Sequence, residues 1–181
     1  GEAFFRELYL RSLSDPALDV ADPNYLQQLA ADNLNPILFS LLVNDLLFPT
    51  QKLEYKGRVY SKDRGFAFEE QLNKNTKGIL DKSLADYRAP ESLAQIPLLP
   101  LTTLITNDGR KLVISPHSFS FFGSAGLSAT QDKELKQSID FMRFFAAHDP
   151  GNLRFLTALR MSATFPFVTP NVELPSDPIM K

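Results

Sequence analysis

The side chains able to act as acid, base or nucleophile are sparse in this chain and fall at spacings that do not combine. A serine hydrolase needs Gly-x-Ser-x-Gly on a strained strand-to-helix turn, so that the hydroxyl faces both the ester and the oxyanion donors. The sequence carries no such pentapeptide, and Gly123-Ser124-Ala125-Gly126 has the wrong spacing. Asp108-Gly109 has the form of a catalytic Asp-Gly, yet it lies between two β-branched runs, where Asn107-Asp108-Gly109 is turn chemistry. His117 and His148 are far apart, each without a second ligand at short spacing, so neither a metal centre nor a histidine triad is indicated. Glu69 and Glu70 are neighbours on a predicted helix and cannot face one point, which reads as a solvated helix side. With no cysteine, disulfides, thiolate zinc sites and thiol nucleophiles are excluded. The residues alone yield no catalytic set, no metal site and no cofactor.

Apolar side chains carry more information. Fifteen phenylalanines and no tryptophan suit either a helix-packed core or the wall of an acyl-chain pocket. Residues 34–48 are apolar around most of a helical circumference, a pattern of burial, of a lid or of an interfacial patch, while Asn44-Asp45 argues against full membrane insertion. At 181 residues and 44% hydrophobic the chain suffices for one domain, residues 1–181. A net charge of -2 with scattered Lys and Arg gives no field for a phosphate backbone, which excludes nucleic acid as a partner. No apolar run has the length of a membrane span and no signal-peptide pattern opens the chain, so it is expected in the cytoplasm or at a membrane periphery.

Periodicity supplies the elements that must position these residues. Phe4, Phe5, Leu8, Tyr9 and Leu13 form a helical stripe over residues 2–13, closed by Ser14-Asp15-Pro16. Asp22-Pro23 and Asn35-Pro36 are two further helix starts. Residues 49–63 read as an excursion with a short hairpin around Gly57, and Asp63 as the cap of a helix to about residue 74. Residues 79–87 read as an amphipathic helix. Residues 98–106 read as a buried strand that turns through Asn107-Asp108-Gly109 into residues 110–115. The glycine- and serine-rich residues 119–130 read as a loop. Leu135, Ile139, Met142 and Ala146 predict a helix over 134–147, and Asn152 is the expected cap of a last helix that Phe165-Pro166 stops. The residues by themselves give an α+β chain, helix-rich with one β-hairpin.

Several of these pieces fall in an order that resembles a bacterial branch of the patatin-like phospholipases. Gly1-Glu2-Ala3-Phe4-Phe5-Arg6 resembles the start of the helix after that family's nucleophile elbow. Asn33-Leu34-Asn35-Pro36-Ile37-Leu38 with Asn44-Asp45-Leu46-Leu47, and Asp63-Arg64-Gly65-Phe66-Ala67-Phe68-Glu69, are similar to later helical segments. The run from Leu101-Thr102-Thr103 through Gly109 to Ile114-Ser115-Pro116 resembles its hairpin, and Leu159-Arg160-Met161-Ser162-Ala163-Thr164-Phe165-Pro166 is the most specific match. The resemblance implies a segment of a three-layer α/β domain that hydrolyses lipid or acyl esters with a Ser-Asp dyad. It puts the serine just before Gly1 and the aspartate just after Lys181, so that the chain alone is inactive and has no catalytic residue. It also implies that Met161, Phe165 and Phe167 lie beside the acyl chain; the interfacial reading of residues 34–48, taken from their apolar pattern, would be contact with a membrane surface. The alternative from another class is a non-catalytic helical interaction module that uses those same greasy residues against a partner.

Overall fold

The computed structural model describes residues 1–42, 52–55, 58–61, 63–107, 109–119, 138–164 and 170–174. Helix α1 spans Glu2–Ser12, with the Gly1 carbonyl accepting from the Phe4 and Phe5 N–H groups. Its buried face holds Ala3, Phe4 and Leu8, while Tyr9 and Leu13 are exposed, so the stripe is rotated and carries Arg6 and Glu7 inward. Helix α2 (Asn24–Ala30) starts where Asp22 accepts from the Asn24 N–H. Helix α3 (Leu34–Ser40) begins slightly ahead of the expected Asn-Pro start and runs on as a π turn through residues 41–42.

Strands β1 (Lys52–Tyr55) and β2 (Arg58–Ser61) form the expected antiparallel hairpin. Helix α4 (Arg64–Asn75) is capped as predicted, because the Asp63 carboxylate accepts from the Phe66 N–H at 2.9 Å and satisfies a donor the first turn leaves orphaned. Beyond it the expected helix over 79–87 is absent. Gly78 turns the chain at φ +75, Ser83 makes an isolated bridge to Arg154, and a Ser83–Asp86 capping box opens only a 3-10 turn at Leu84–Tyr87, followed by short helix α5 (Arg88–Ser92). The local capping hydrogen bonds outcompete a continuous helix here.

The second sheet is mixed. Strand β3 (Leu101–Leu104) pairs antiparallel with β4 (Lys111–Ile114), Leu101 opposite Ile114, and the predicted turn between them has Gly109 at φ +72 with its N–H donated to the Ile105 carbonyl. The strand is shorter than expected and not buried throughout: Leu101 is inside, whereas Leu104 is 65% exposed, as period-2 alternation on a half-covered sheet requires. Strand β5 (Ser138–Asp140) then runs parallel to β4, Leu112 opposite Ile139. This replaces the middle of the helix expected over 134–147. Ile139 and Met142 matched a helical period, but Asp140 has extended backbone and caps the single-turn helix α6 (Phe141–Phe144) through the Arg143 N–H.

Helix α7 (Phe155–Ser162) has no side-chain cap, and Asn152 sits instead in a 3-10 turn. Arg154 is extended against Ser83, so the Phe155 N–H finds the Lys82 carbonyl at 2.8 Å and no capping side chain is required. Helix α7 packs on β3 and α4. The core between them joins Phe4, Leu80, Leu84, Tyr87, Leu112, Ile114, Phe141, Phe155 and Leu156, each large apolar side chain stabilising the fold by ~1.5–3 kcal/mol. The molecule is a mixed α+β fold.

Candidate functional site

Met161 lies in the last turn of α7 with its side chain in the core, whereas Phe165 and Phe167 lie outside the described residues. The helix therefore delivers Met161 inward. Asp108 and the Gly123–Gly126 stretch also lie outside the described residues. Of the other phenylalanines, Phe4, Phe141, Phe145 and Phe155 are core, and Phe39 is 67% exposed on α3 beside exposed Leu38 and Leu42. Burial, one of the readings of residues 34–48, does not hold for these three side chains, while Ile37 on the same helix is buried.

What sequence reasoning missed is a set of buried charges at the helix interfaces. Glu69 on α4 is 2% exposed and not solvated. Its carboxylate accepts from the Thr157 hydroxyl at 2.8 Å, faces Arg160 Nε at 2.8 Å and has Arg154 Nη1 at 3.5 Å. Adjacency to Glu70 remains informative, because the neighbour points outward and takes Arg154 Nη2 at 2.7 Å from the rim, with Asp81 holding Arg154 Nε at 3.0 Å. Burial, the largest influence, pushes the Glu69 carboxyl above its ordinary range against the pull of Arg160, the Thr157 hydroxyl and Arg154. Burial also disfavours the Arg154 charge, but its bonds to Glu70 and Asp81 prevail and hold the guanidinium above its usual value.

Arg160 completes this cluster. Its Nη1 lies 3.4 Å from Asp63, the carboxylate that also caps α4. Gly65 makes room for it: a Cβ there would overlap Arg160 Nη1 and stand 2.7 Å from Cζ.

A second cluster joins α1 to α5. Arg6 Nη1 donates to Glu91 at 2.6 Å and to the Pro97 carbonyl at 2.9 Å, and its guanidinium covers the Tyr87 ring at 4.8 Å. Glu7 binds Lys82 Nζ at 2.7 Å, and burial together with the facing Glu7 carboxylate pushes the Tyr87 phenol far up. On its outer side Glu91 Oε2 lies 3.3 Å from His117 Nε2 without hydrogen-bond alignment. Both residues line an open cavity of about 450 Å³ with Ser92, Leu98, Ser118 and Phe119. Ser118 donates to Asp140 at 2.6 Å, but that carboxylate also accepts from the Phe119 and Arg143 N–H groups. These three bonds tie residues 118–119 to the start of α6.

Sequence carried a faint signal for these clusters, namely charged residues set inside apolar stripes: Arg6-Glu7 between Phe5 and Leu8, and Arg160 between Leu159 and Met161. Among the described residues no group of His, Asp or Glu could hold a metal ion, and no helix is long and apolar enough to cross a membrane. No protein-family model matches the chain, and neither a curated protein nor a solved structure matches it.

Proposed function

We propose that this chain is the part of a patatin-like lipid acyl hydrolase that lies between the nucleophile and the base, and that it shapes the acyl pocket without carrying out hydrolysis itself. The observation that carries the reading is the parallel pairing of β4 with β5. All-parallel sheets belong almost only to α/β layers covered by helices, mixed sheets occur in both α/β and α+β folds, and a sheet of three strands with one parallel pair is compatible with a slice of an α/β layer. The ordered motifs support it: an Asp63-capped helix and the hairpin at Gly109.

On this reading a serine N-terminal to Gly1 attacks the ester carbonyl, giving its proton to an aspartate C-terminal to Lys181, while N–H donors receive the oxyanion. The chain's own part is to hold Met161, with Phe165 and Phe167, along the acyl group. The exposed Leu38 and Phe39 of α3 and Leu42 of the turn after it suit contact with a membrane surface. They also favour the second reading, a helical interaction module without chemistry.

One experiment separates the two. The encoding gene is read on either side, and the longer polypeptide is assayed for ester hydrolysis. The acyl-hydrolase reading expects Gly-x-Ser-x-Gly upstream, Asp-Gly downstream, and turnover abolished by changing that serine to alanine. Flanks without those motifs leave the interaction module.

A further inference from the structure

We propose that the open cavity between α5 and residues 115–119 binds a small neutral alcohol, its hydroxyl held by Glu91 and His117 and its apolar body by Leu98 and Phe119. The site is independent of the acyl-hydrolase reading. Glu91 is 5% exposed, and the two oxygens of its carboxylate are used unequally. One accepts from Arg6 Nη1 at 2.6 Å. The other, Oε2, lies 3.3 Å from His117 Nε2, and neither of these buried atoms has an aligned hydrogen-bond partner among the described residues. A buried polar atom without a partner has given up a bond it makes in water, so a ligand group that restores the bond is favoured there.

The two atoms have complementary needs. The carboxylate oxygen takes a donor, and the imidazole nitrogen, which the carboxylate keeps protonated on that side, takes an acceptor. A hydroxyl is both, and from the cavity side it reaches both atoms after a small turn of the imidazole, whose side chain is 26% exposed. Arg6 balances the Glu91 charge from behind, so a cation gains little from the carboxylate. The wall opposite α5 is held in place: Arg88 Nε donates to the Pro116 carbonyl at 3.0 Å, the His117 N–H to the Ser115 hydroxyl at 3.2 Å, and the Ser118 hydroxyl and Phe119 N–H to Asp140. A site fixed in this way loses little freedom when a ligand binds. Its volume of about 450 Å³ is that of a small-molecule site, and Leu98 and Phe119 supply the apolar wall such sites have.

The test follows backbone amide chemical shifts of the isotopically labelled chain as benzyl alcohol, benzyl methyl ether or benzylamine is added to about 20 mM. Benzyl alcohol is expected to shift the amides of Ser92, Leu98, His117 and Phe119, with a dissociation constant on the order of 1 mM for a ligand of its size. The ether lacks the donor and the amine brings a charge, so each is expected to bind at least about threefold more weakly, the worth of one hydrogen bond. His117→Phe keeps a ring of similar size without Nε2. It is expected to weaken the alcohol at least about threefold and to leave the ether unchanged. Should that variant fail to fold, the three probes on the unmutated chain still decide the matter. Shifts that are absent or fall elsewhere, an ether or amine that binds as tightly as the alcohol, or a folded His117→Phe chain of unchanged affinity overturn the proposal.

Discussion

Glu69 is held between two guanidinium groups and a threonine hydroxyl in the seam of α4 and α7. Its carboxyl lies above the ordinary value of 4.5, burial outweighing the arginines. The folded state therefore binds this proton at higher pH than the unfolded chain does. The stability associated with the shift is fully present below the unfolded value and is lost as pH rises through the raised one. Glu69→Gln removes the titration, so the stability of the unmutated chain relative to the variant should fall as pH rises from about 4. Urea unfolding of both proteins across pH 4–7 measures it, and a relative gain for the unmutated chain with rising pH would contradict the direction given. Sequence separated Glu69 from Glu70 correctly but assigned both to solvent. Adjacent residues on a helix point in different directions, yet only the partners Thr157, Arg154 and Arg160, remote in the chain, decide which one is buried.

Elements were legible wherever local chemistry settles them. Asp63 before a helical stripe and Gly109 between two strand-like runs each act through their own neighbours, and both are found as expected. Asp63→Ala should cost about 1 kcal/mol for the lost cap, together with whatever Arg160 loses, and chemical denaturation reads the sum. Gly109→Val should destabilise by ~1–2 kcal/mol or more, since a β-branched residue resists positive φ although a Cβ there would meet open space. A variant as stable as the parent chain would mean the turn tolerates another geometry. Local pattern failed at residues 138–140, where Ile139 has the spacing of a helix and the pairing of a strand. Register with β4 is a long-range fact, and it overrides propensity.

At the scale of the whole molecule, one core ties the first helix to the last. Phe155 is buried against Tyr87, with ring centroids 4.5 Å apart, and the Arg6 guanidinium stands 5.9 Å from its ring. Phe155→Ala should cost about 3–5 kcal/mol, visible as a large drop in melting temperature; a loss under about 1 kcal/mol would be that of a surface site. The chain by itself should leave p-nitrophenyl butyrate at the buffer rate, and turnover that survives repurification and vanishes on changing one of its own serines would refute this. The sheet at the centre also has a bearing on time. Strands β3 and β4 meet across a short turn and can pair within ~1–10 μs. The pairing Lys111↔Ser138 instead joins residues remote in the chain, and the entropy of bringing them together is spent before any ladder bond rewards it. Strand β5 should therefore be the late arrival in folding, its amides protected from hydrogen exchange after those of the hairpin, and refolding should proceed at a rate set by that closure.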